Sequence, residues 1–186
     1  MAEHVESEIK LRSPGPEAAR AAVARVGARL VRARHFEDNV LLDDEGGRLR
    51  AAGNLLRLRR TPHGARLTFK GPRIDAGEVK ARPEIEVAVA EPDALQSLLA
   101  ALGLRPVFRY QKYRETYAWK DVEVVVDETP VGTFLEIEGG VEGIRSAAAA
   151  LGYGPADYIT ESYTTLFFAA GGRGDMVFPK WRHGLP

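Results

Sequence analysis

Acidic and basic side chains two residues apart are the feature of this sequence that could do chemistry. The chain begins MAEHVESEIKLR, where Glu6, Glu8 and Lys10 alternate with Ser7 and Ile9. A period of two places the charged side chains on one face of a β-strand. Carboxylates are hard oxygen ligands of the kind that Mg²⁺ or Mn²⁺ takes. The spacing therefore raises the hypothesis of a strand face that holds a metal ion.

The same pairing of charges recurs along most of the other predicted strands. The acids in these pairs are Glu6, Glu8, Glu84, Glu86, Glu136 and Glu138, and Asp127 joins them near the end of another strand. The bases are Lys10, Arg57, Arg59, Lys70, Arg82, Lys112 and Arg114. For any single pair, a strand face in contact with water is the better interpretation.

The complete set favours a shared interior over a solvated surface. Fixed like charges at this density repel one another unless counter-charges and ligands are present. Arginine forks match phosphate oxygens bidentately, and carboxylates match divalent cations. A polyphosphate with divalent metal ions is the ligand that these charges predict.

Groups of strands and single helices must position these charges. Strand patterns cover 4–12, 31–43, the hairpin 54–72, 80–89, 105–119, 120–130 and 133–139. Helical spacing predicts helices over 16–28, 91–103, 141–152 and 161–170, and residues 45–54 are predicted to be a connection rich in turns. Helices between runs of consecutive strands favour a largely antiparallel α+β fold. If the helices pack outside, the charged faces can curve inward around a wet lumen.

Composition excludes several other functions. Lysine and arginine total 26 residues, as do aspartate and glutamate, so the chain lacks the overall positive field of a nucleic-acid binder. Without cysteine it forms no disulfide and no thiolate site. We find neither an apolar run of about 18 residues nor a signal-peptide pattern, so we expect a cytoplasmic protein with no membrane partner.

The order of these charged motifs along the chain resembles that of the CYTH superfamily, also called triphosphate tunnel metalloenzymes. The resemblance rests on E-x-E-x-K at Glu6, Glu8 and Lys10, followed in order by LRLRR, LTFKGP, RPEIEV, QKYRETY, VVVDE and GTFLEIE. It covers roughly residues 4–168. The superfamily includes class IV adenylyl cyclases, thiamine triphosphatases and inorganic triphosphatases.

The resemblance implies both a fold and a site. The fold is an eight-stranded antiparallel β-barrel with a charged interior and helices outside, formed by residues 1–170 and followed by a Gly/Pro-rich tail, 171–186. The triphosphate would be bound by Arg57, Arg59, Lys70, Arg82, Lys112 and Arg114. The metal, Mg²⁺ or Mn²⁺, would be held by Glu6, Glu8, Glu136 and Glu138, with Asp127, Glu84 and Glu86 as further acidic candidates. Lys10 would contact the phosphate near the bond that breaks, and with Glu6 and Glu8 it forms the expected catalytic set.

Three functions remain open from the sequence. We expect a class IV adenylyl cyclase-like enzyme that converts ATP to cyclic AMP and pyrophosphate. The alternatives are a triphosphatase acting on thiamine triphosphate or tripolyphosphate, and a non-catalytic module that binds polyphosphate or nucleotide. Phe178 and Trp181 in the tail are available to dock on the barrel or on a second copy, which leaves a homodimer open.

Overall fold

The computed structural model describes residues 4–76 and 79–179. The strands in this part of the chain are β1 (His4–Ser13), β2 (Arg29–Asp43), β3 (Leu55–Thr61), β4 (Gly64–Lys70), β5 (Ile74–Ala76), β6 (Val79–Val89), β7 (Arg105–Trp119), β8 (Val122–Thr129) and β9 (Gly132–Glu138). The helices are α1 (Pro16–Arg25), α2 (Arg48–Ala51), α3 (Pro92–Ala101), α4 (Val141–Leu151) and α5 (Tyr163–Ala169), with a 3-10 turn at Pro155–Asp157.

Eight strands close into an antiparallel barrel. Their order is β1-β9-β8-β7-β2-β3-β4-β6, and β6 pairs again with β1 to complete the ring. The short strand β5 adds to β6 alone. The structure therefore confirms the predicted α+β fold, an antiparallel barrel with helices packed outside it.

Strand alternation sends the apolar side chains outward, under the helices. On β1, Ile9 and Leu11 are fully buried in a cluster with Val23 of α1 and Ile144 of α4. Burial of each such side chain stabilises the fold by about 1.5–3 kcal/mol. The intervening residues of β1 are left facing the inside of the barrel, and these include the charged residues of the first motif.

Two further apolar clusters complete the packing. Outside the barrel, Leu42 of β2 and Leu58 of β3 pack with Leu99 of α3. On the inner side, Phe134 of β9, which has the strand parity of Glu136, packs with Tyr163 of α5 and Met176. No helix within residues 4–76 and 79–179 is long and apolar enough to cross a membrane.

The four predicted helices are present, and each is shorter than predicted. The fifth helix, α2, lies where we predicted only a connection. Asp43 explains its formation, because the carboxylate accepts hydrogen bonds from the backbone N–H groups of Leu49 and Arg50 at 2.9 and 3.0 Å. This cap satisfies free N–H groups in the first turn. It comes from the end of β2, outside the usual capping position, so the local pattern gave no sign of it.

The segment after α5 lies along β7. Met176 N donates to the Arg109 carbonyl and accepts, through its own carbonyl, from Gln111 N, both at 2.9 Å. Phe178 packs on Tyr113 with ring centroids 5.4 Å apart. The segment covers the part of β7 that β8 does not pair, which shields an otherwise free strand edge. Trp181 falls outside the described residues, and the domain boundary at residue 170 stays a prediction.

Candidate functional site

A cavity of about 240 Å³ lies inside the barrel, and residues from all eight barrel strands line it. All but one of the charged residues selected from the sequence lie on its wall. They are Glu6, Glu8, Lys10, Arg57, Arg59, Lys70, Arg82, Glu84, Glu86, Lys112, Arg114, Glu136 and Glu138. The strand period has therefore brought residues from distant motifs into one polar space.

Lys10 joins the acids of β1 and β9. Its ammonium group donates to Glu8 Oε1 at 2.9 Å and lies 3.3 Å from Glu136 Oε2. The pairing register explains the contact, because Lys10 stands directly opposite Glu136. Burial alone would lower the pKa of Lys10, but the charges of Glu136 and Glu8 outweigh it and raise the pKa above its ordinary value. The site therefore keeps a protonated lysine in its interior.

Asp127 is the exception among the predicted site residues, because it lies behind the cavity wall. Its side chain is fully buried, and it accepts from Lys112 Nζ at 2.9 Å and from Arg114 Nη2 at 2.6 Å. The Tyr163 hydroxyl donates to it at 2.8 Å. Its oxygens therefore hold two cations in position, and the metal role that we expected for Asp127 stays a prediction.

Arg57 and Lys70 line the cavity from the neighbouring strands β3 and β4. Arg57 donates to Thr68 Oγ1 at 3.2 Å and to the Tyr110 hydroxyl at 3.4 Å, while its buried Nε has no hydrogen-bond partner among the described residues. Lys70 is paired with Glu6, and it lies 2.9 Å from Glu84 Oε2. A buried donor without a partner is costly unless a ligand satisfies it.

Arg82 reaches the cavity while its guanidinium is held by the backbone. Its Nε donates to the Gly71 carbonyl at 2.6 Å, and its Nη2 donates to the Gly53 carbonyl. Arg82 stands opposite Glu6 in the β6–β1 ladder. Pro83 follows it, and the ladder continues through both residues. Arg82 is thus less free to bind a ligand than Arg57.

Several cavity residues escaped the sequence analysis. Lys80 lies opposite Glu8 on β6 and is paired with its carboxylate. Glu37 of β2 is buried and lies 3.2 Å from Arg59. Asn39 does not line the cavity but supports it, because it accepts from Arg59 Nε at 2.9 Å. Lys80 could have been found, since it continues the alternation of Arg82, Glu84 and Glu86.

The acidic side of the cavity is electrostatically unbalanced. Burial, with the charges of Glu6, Glu136 and Glu123, raises the pKa of Glu138 to about 8. Within residues 4–76 and 79–179, no ion pair joins Glu138 to a cation. By contrast, Lys10 and Lys80 overcome the effect of burial and lower the pKa of Glu8 to about 2.

This imbalance fits a divalent cation. Glu8 and Glu138 are cross-strand neighbours, as are Glu138 and Glu123, so carboxylate oxygens gather around Glu138, which forms no ion pair with the described residues. In the described residues no three acidic or histidine side chains already form a closed metal site. A cation would therefore have to draw these carboxylates together, and their hard oxygens suit Mg²⁺ or Mn²⁺.

Comparisons with known proteins agree with this geometry. The family model described as the CYTH domain matches residues 4–163. The chain belongs to the CYTH family. A Methanocaldococcus jannaschii protein named "Putative adenylate cyclase" is 27% identical over 142 residues, which cover 76% of this chain and 80% of that protein.

Solved structures share the CYTH fold. A Vibrio parahaemolyticus protein, also described as a "putative adenylate cyclase", superposes with a TM-score of 0.79. The two chains are 20% identical, and the match covers 90% of this chain and 99% of that one. An adenylyl cyclase candidate from Hippeastrum, described as revealing a dominant triphosphatase activity, has a TM-score of 0.66 and 20% identity over 90% and 97% of the two chains. At this identity the two likenesses establish the fold.

Proposed function

We propose that this CYTH protein is a metal-dependent enzyme that binds a triphosphate inside its barrel and converts ATP to cyclic AMP and pyrophosphate. The observation that supports it best is the coexistence, in one enclosed cavity, of many cations with the acids of β1 and β9. A binder of polyanions needs the cations alone. Glu6, Glu8, Glu136 and Glu138 would repel phosphate unless a metal ion lay between them, and a metal ion argues for chemistry.

Each part of the cavity has a role in this proposal. Arg57 offers guanidinium N–H groups to phosphate oxygens, while Arg59, Arg114 and Lys112, which already hold protein acceptors, add positive charge. Asp127 and Asn39 hold these cations at fixed positions before the substrate arrives. Such fixed charges favour the crowded negative charge of the reacting phosphates.

Lys10 would donate to the phosphate next to the bond that breaks. Its raised pKa keeps the ammonium group protonated, so it stabilises charge and does not act as a base. Glu6, Glu8, Glu136 and Glu138 would hold the metal. When bound, the metal ion would neutralise charge that develops on the phosphate oxygens and activate the attacking hydroxyl.

A triphosphatase is the second candidate. The same residues would position a triphosphate for attack by water at the terminal phosphorus, and the Hippeastrum neighbour is described with that activity. The name of the Methanocaldococcus jannaschii relative, which is more similar in sequence, favours the cyclase. The two reactions differ in which phosphorus the nucleophile attacks.

One panel of reactions tests the proposal. The protein is incubated with ATP, thiamine triphosphate or tripolyphosphate, each with Mg²⁺, Mn²⁺ or EDTA, and the products are separated. Cyclic AMP with pyrophosphate, formed only with metal, supports the cyclase. Orthophosphate together with the matching diphosphate (ADP, thiamine diphosphate or pyrophosphate), and no cyclic AMP, shows a triphosphatase, whereas binding without any product shows a non-catalytic module.

A substitution tests the metal assignment. Glu6→Gln should abolish turnover while the protein remains folded, because a neutral amide is a weak ligand for a hard cation. Glu142→Gln is the control, since Glu142 pairs with Arg145 at the outer surface of α4. Full activity in Glu6→Gln would remove Glu6 from the metal site.

A further inference from the structure

A second cavity, of about 520 Å³, lies beside the turn between β3 and β4. We call it the hairpin cavity. The residues that line both it and the charged cavity are Arg32, Glu37, Arg59 and Glu86. Tyr163 of α5 lines the charged cavity, whereas none of the described residues that line the hairpin cavity belongs to α5. The hairpin cavity therefore adjoins the end of the charged cavity that lies away from α5.

Strand alternation shows that the hairpin cavity continues the inside of the barrel. On β3, Arg57 and Arg59 line the charged cavity, and Arg59 and Thr61 line the hairpin cavity. On β6, Glu86 lines both cavities, and Ala88 follows in the hairpin cavity. Residues two apart on a strand share a face, so the same inner face runs from one cavity into the next. From Arg59 to Thr61 this face extends by about 7 Å.

The hairpin cavity contains a positive charge that no acid of its wall balances. Its two acids already have partners, because Glu37 lies 3.2 Å from Arg59 and Glu86 lies 3.2 Å from Arg66. Arg32 is exposed, and within residues 4–76 and 79–179 its guanidinium forms neither a hydrogen bond nor an ion pair. A free guanidinium offers paired N–H groups that match the oxygens of a phosphate.

The remaining wall of the hairpin cavity disfavours an organic group. Its side chains are small, and an extended apolar face on which a planar ring could stack is missing from its described lining. His63 is the one aromatic residue in that lining, and its ring packs against that of His35 with the centroids 5.4 Å apart. The small residues are Gly64, Ala65, Ala88, Val89 and Ala90. A compact inorganic anion suits this wall better than a heterocycle does.

We propose that the hairpin cavity binds the additional phosphates of a linear polyphosphate whose first three phosphates lie in the charged cavity. This inference rests on the proposed function, because the charged cavity must hold a triphosphate. Arg32 and Arg66 bind oxygens of the added phosphates, and Arg59 contacts the chain where the two cavities meet. The ligands of the barrel then include polyphosphates longer than a triphosphate.

The test compares two chain lengths in variants of the hairpin cavity. Calorimetry gives Kd for tripolyphosphate and for a longer linear polyphosphate, in EDTA to prevent turnover and again with Mn²⁺. Arg66→Gln removes a charge, and Ala88→Phe fills space without a change of charge. Both residues line the hairpin cavity and not the charged one, and both are exposed, so each variant should fold.

Two further variants complete the set. Arg32→Gln removes the cation without a partner, but Arg32 also lines the charged cavity, so Arg66→Gln and Ala88→Phe decide the result. Arg29→Gln is the matched control, since Arg29 is an exposed arginine of the same strand, β2, and lines neither cavity. Thermal melting checks that each variant is folded.

The inference expects a loss confined to the longer chain. In the wild type, Kd for the longer chain should be at least about tenfold lower than Kd for tripolyphosphate, which corresponds to one added charge-assisted bond. Arg66→Gln and Ala88→Phe should each remove most of this gain and leave Kd for tripolyphosphate within about twofold. A longer chain also gains affinity because it can bind in several registers, and that part of the gain should survive in every variant.

Three results would overturn the inference. They are a gain that Arg66→Gln and Ala88→Phe both keep, a loss no greater than that in Arg29→Gln, and an equal loss for tripolyphosphate. In each of these cases the proposed function still stands if Arg57→Ala weakens tripolyphosphate binding. If the wild-type protein binds neither polyphosphate, with or without Mn²⁺, the proposed function fails and the inference fails with it.

Discussion

Glu37 and Lys112 face each other across the β2–β7 ladder, with Glu37 Oε2 3.6 Å from Lys112 Nζ. Arg59 approaches the other oxygen of the same carboxylate at 3.2 Å. Although burial opposes ionisation, Lys112 and Arg59 hold the pKa of Glu37 well below its ordinary value. A buried negative charge therefore occupies two of the cations that we assign to the triphosphate.

Glu37→Gln should destabilise the free protein and increase its response to ligand. The unfolding free energy should fall by about 1–3 kcal/mol, the cost of a buried polar group that loses its partner, because Arg59 and Lys112 lose the carboxylate charge that they face. Tripolyphosphate should then raise the melting temperature by more than in the wild type, since it no longer competes with Glu37. Melting curves with and without tripolyphosphate measure both effects.

Glu128→Gln is the control for this pair of effects. Glu128 binds Arg20 and Arg34 outside the barrel, away from the cavity. Glu128→Gln should lower the unfolding free energy and leave unchanged the rise in melting temperature that tripolyphosphate causes. An identical ligand shift in Glu37→Gln and the wild type would show that Glu37 does not compete with the triphosphate.

Tyr163 connects α5 to the cations of the cavity. Its buried hydroxyl donates to Asp127 at 2.8 Å, and its ring centroid lies 5.2 Å from Lys10 Nζ and 5.4 Å from Lys112 Nζ. Tyr163→Phe keeps the ring and removes the hydroxyl. We expect the unfolding free energy to fall by about 1.5–3 kcal/mol, because the bond goes to a buried charged group.

Urea denaturation measures this loss against Tyr153→Phe. The Tyr153 hydroxyl donates to the Arg12 carbonyl at 3.2 Å in a solvent-exposed position. Its removal should cost less than that of the Tyr163 hydroxyl, since water replaces the lost partner. Equal losses in the two variants would mean that the hydrogen bond to Asp127 adds no stability.

The alternation of single strands was readable from the sequence, and it located most of the site. On β1 it separated Glu8 and Lys10, which face the cavity, from Ile9 and Leu11, which face the helices. It failed for Glu37 because the neighbours of the same parity, His35 and Asn39, are neither carboxylates nor lysine or arginine. A doubled charge was the signal that we used, and β2 does not have one there.

The position of a residue along the barrel was not readable in the same way. Asp127 follows the alternation of β8, yet it stands opposite Arg114 on one side and Phe134 on the other. This register places its carboxylate beneath Phe134 and Tyr163 and away from the open space. Register depends on how strands from different parts of the sequence pair, and the period within one strand does not specify it.

Arg57→Ala should weaken triphosphate binding more than any substitution on the outer face of β3. The Arg57 side chain lines the cavity, and its Nε has no hydrogen-bond partner in the described part of the chain. Its loss should therefore remove charge-assisted bonds worth about 1.5–3 kcal/mol, or about tenfold to a hundredfold in Kd. Arg60→Ala is the control, because Arg60 binds Asp93 and Gln96 outside the barrel. Calorimetry that gives equal affinities for both variants would exclude Arg57 from the site.

Glu138 should make the metal-free protein less stable as the pH rises. Burial and the charges of Glu6, Glu136 and Glu123 raise its pKa from an ordinary 4.5 to about 8. Between these values the folded state binds a proton that the unfolded state has released, so this stabilising contribution is complete below about pH 4.5 and is lost as the pH passes through about 8.

Glu138→Gln should flatten this part of the stability–pH profile, measured by urea denaturation in EDTA. Mn²⁺ should stabilise the wild type most at the alkaline end, where the carboxylate is ionised, and should stabilise Glu138→Gln less. A profile that Glu138→Gln leaves unchanged would show that Glu138 ionises normally and would remove the reason for placing the metal beside it.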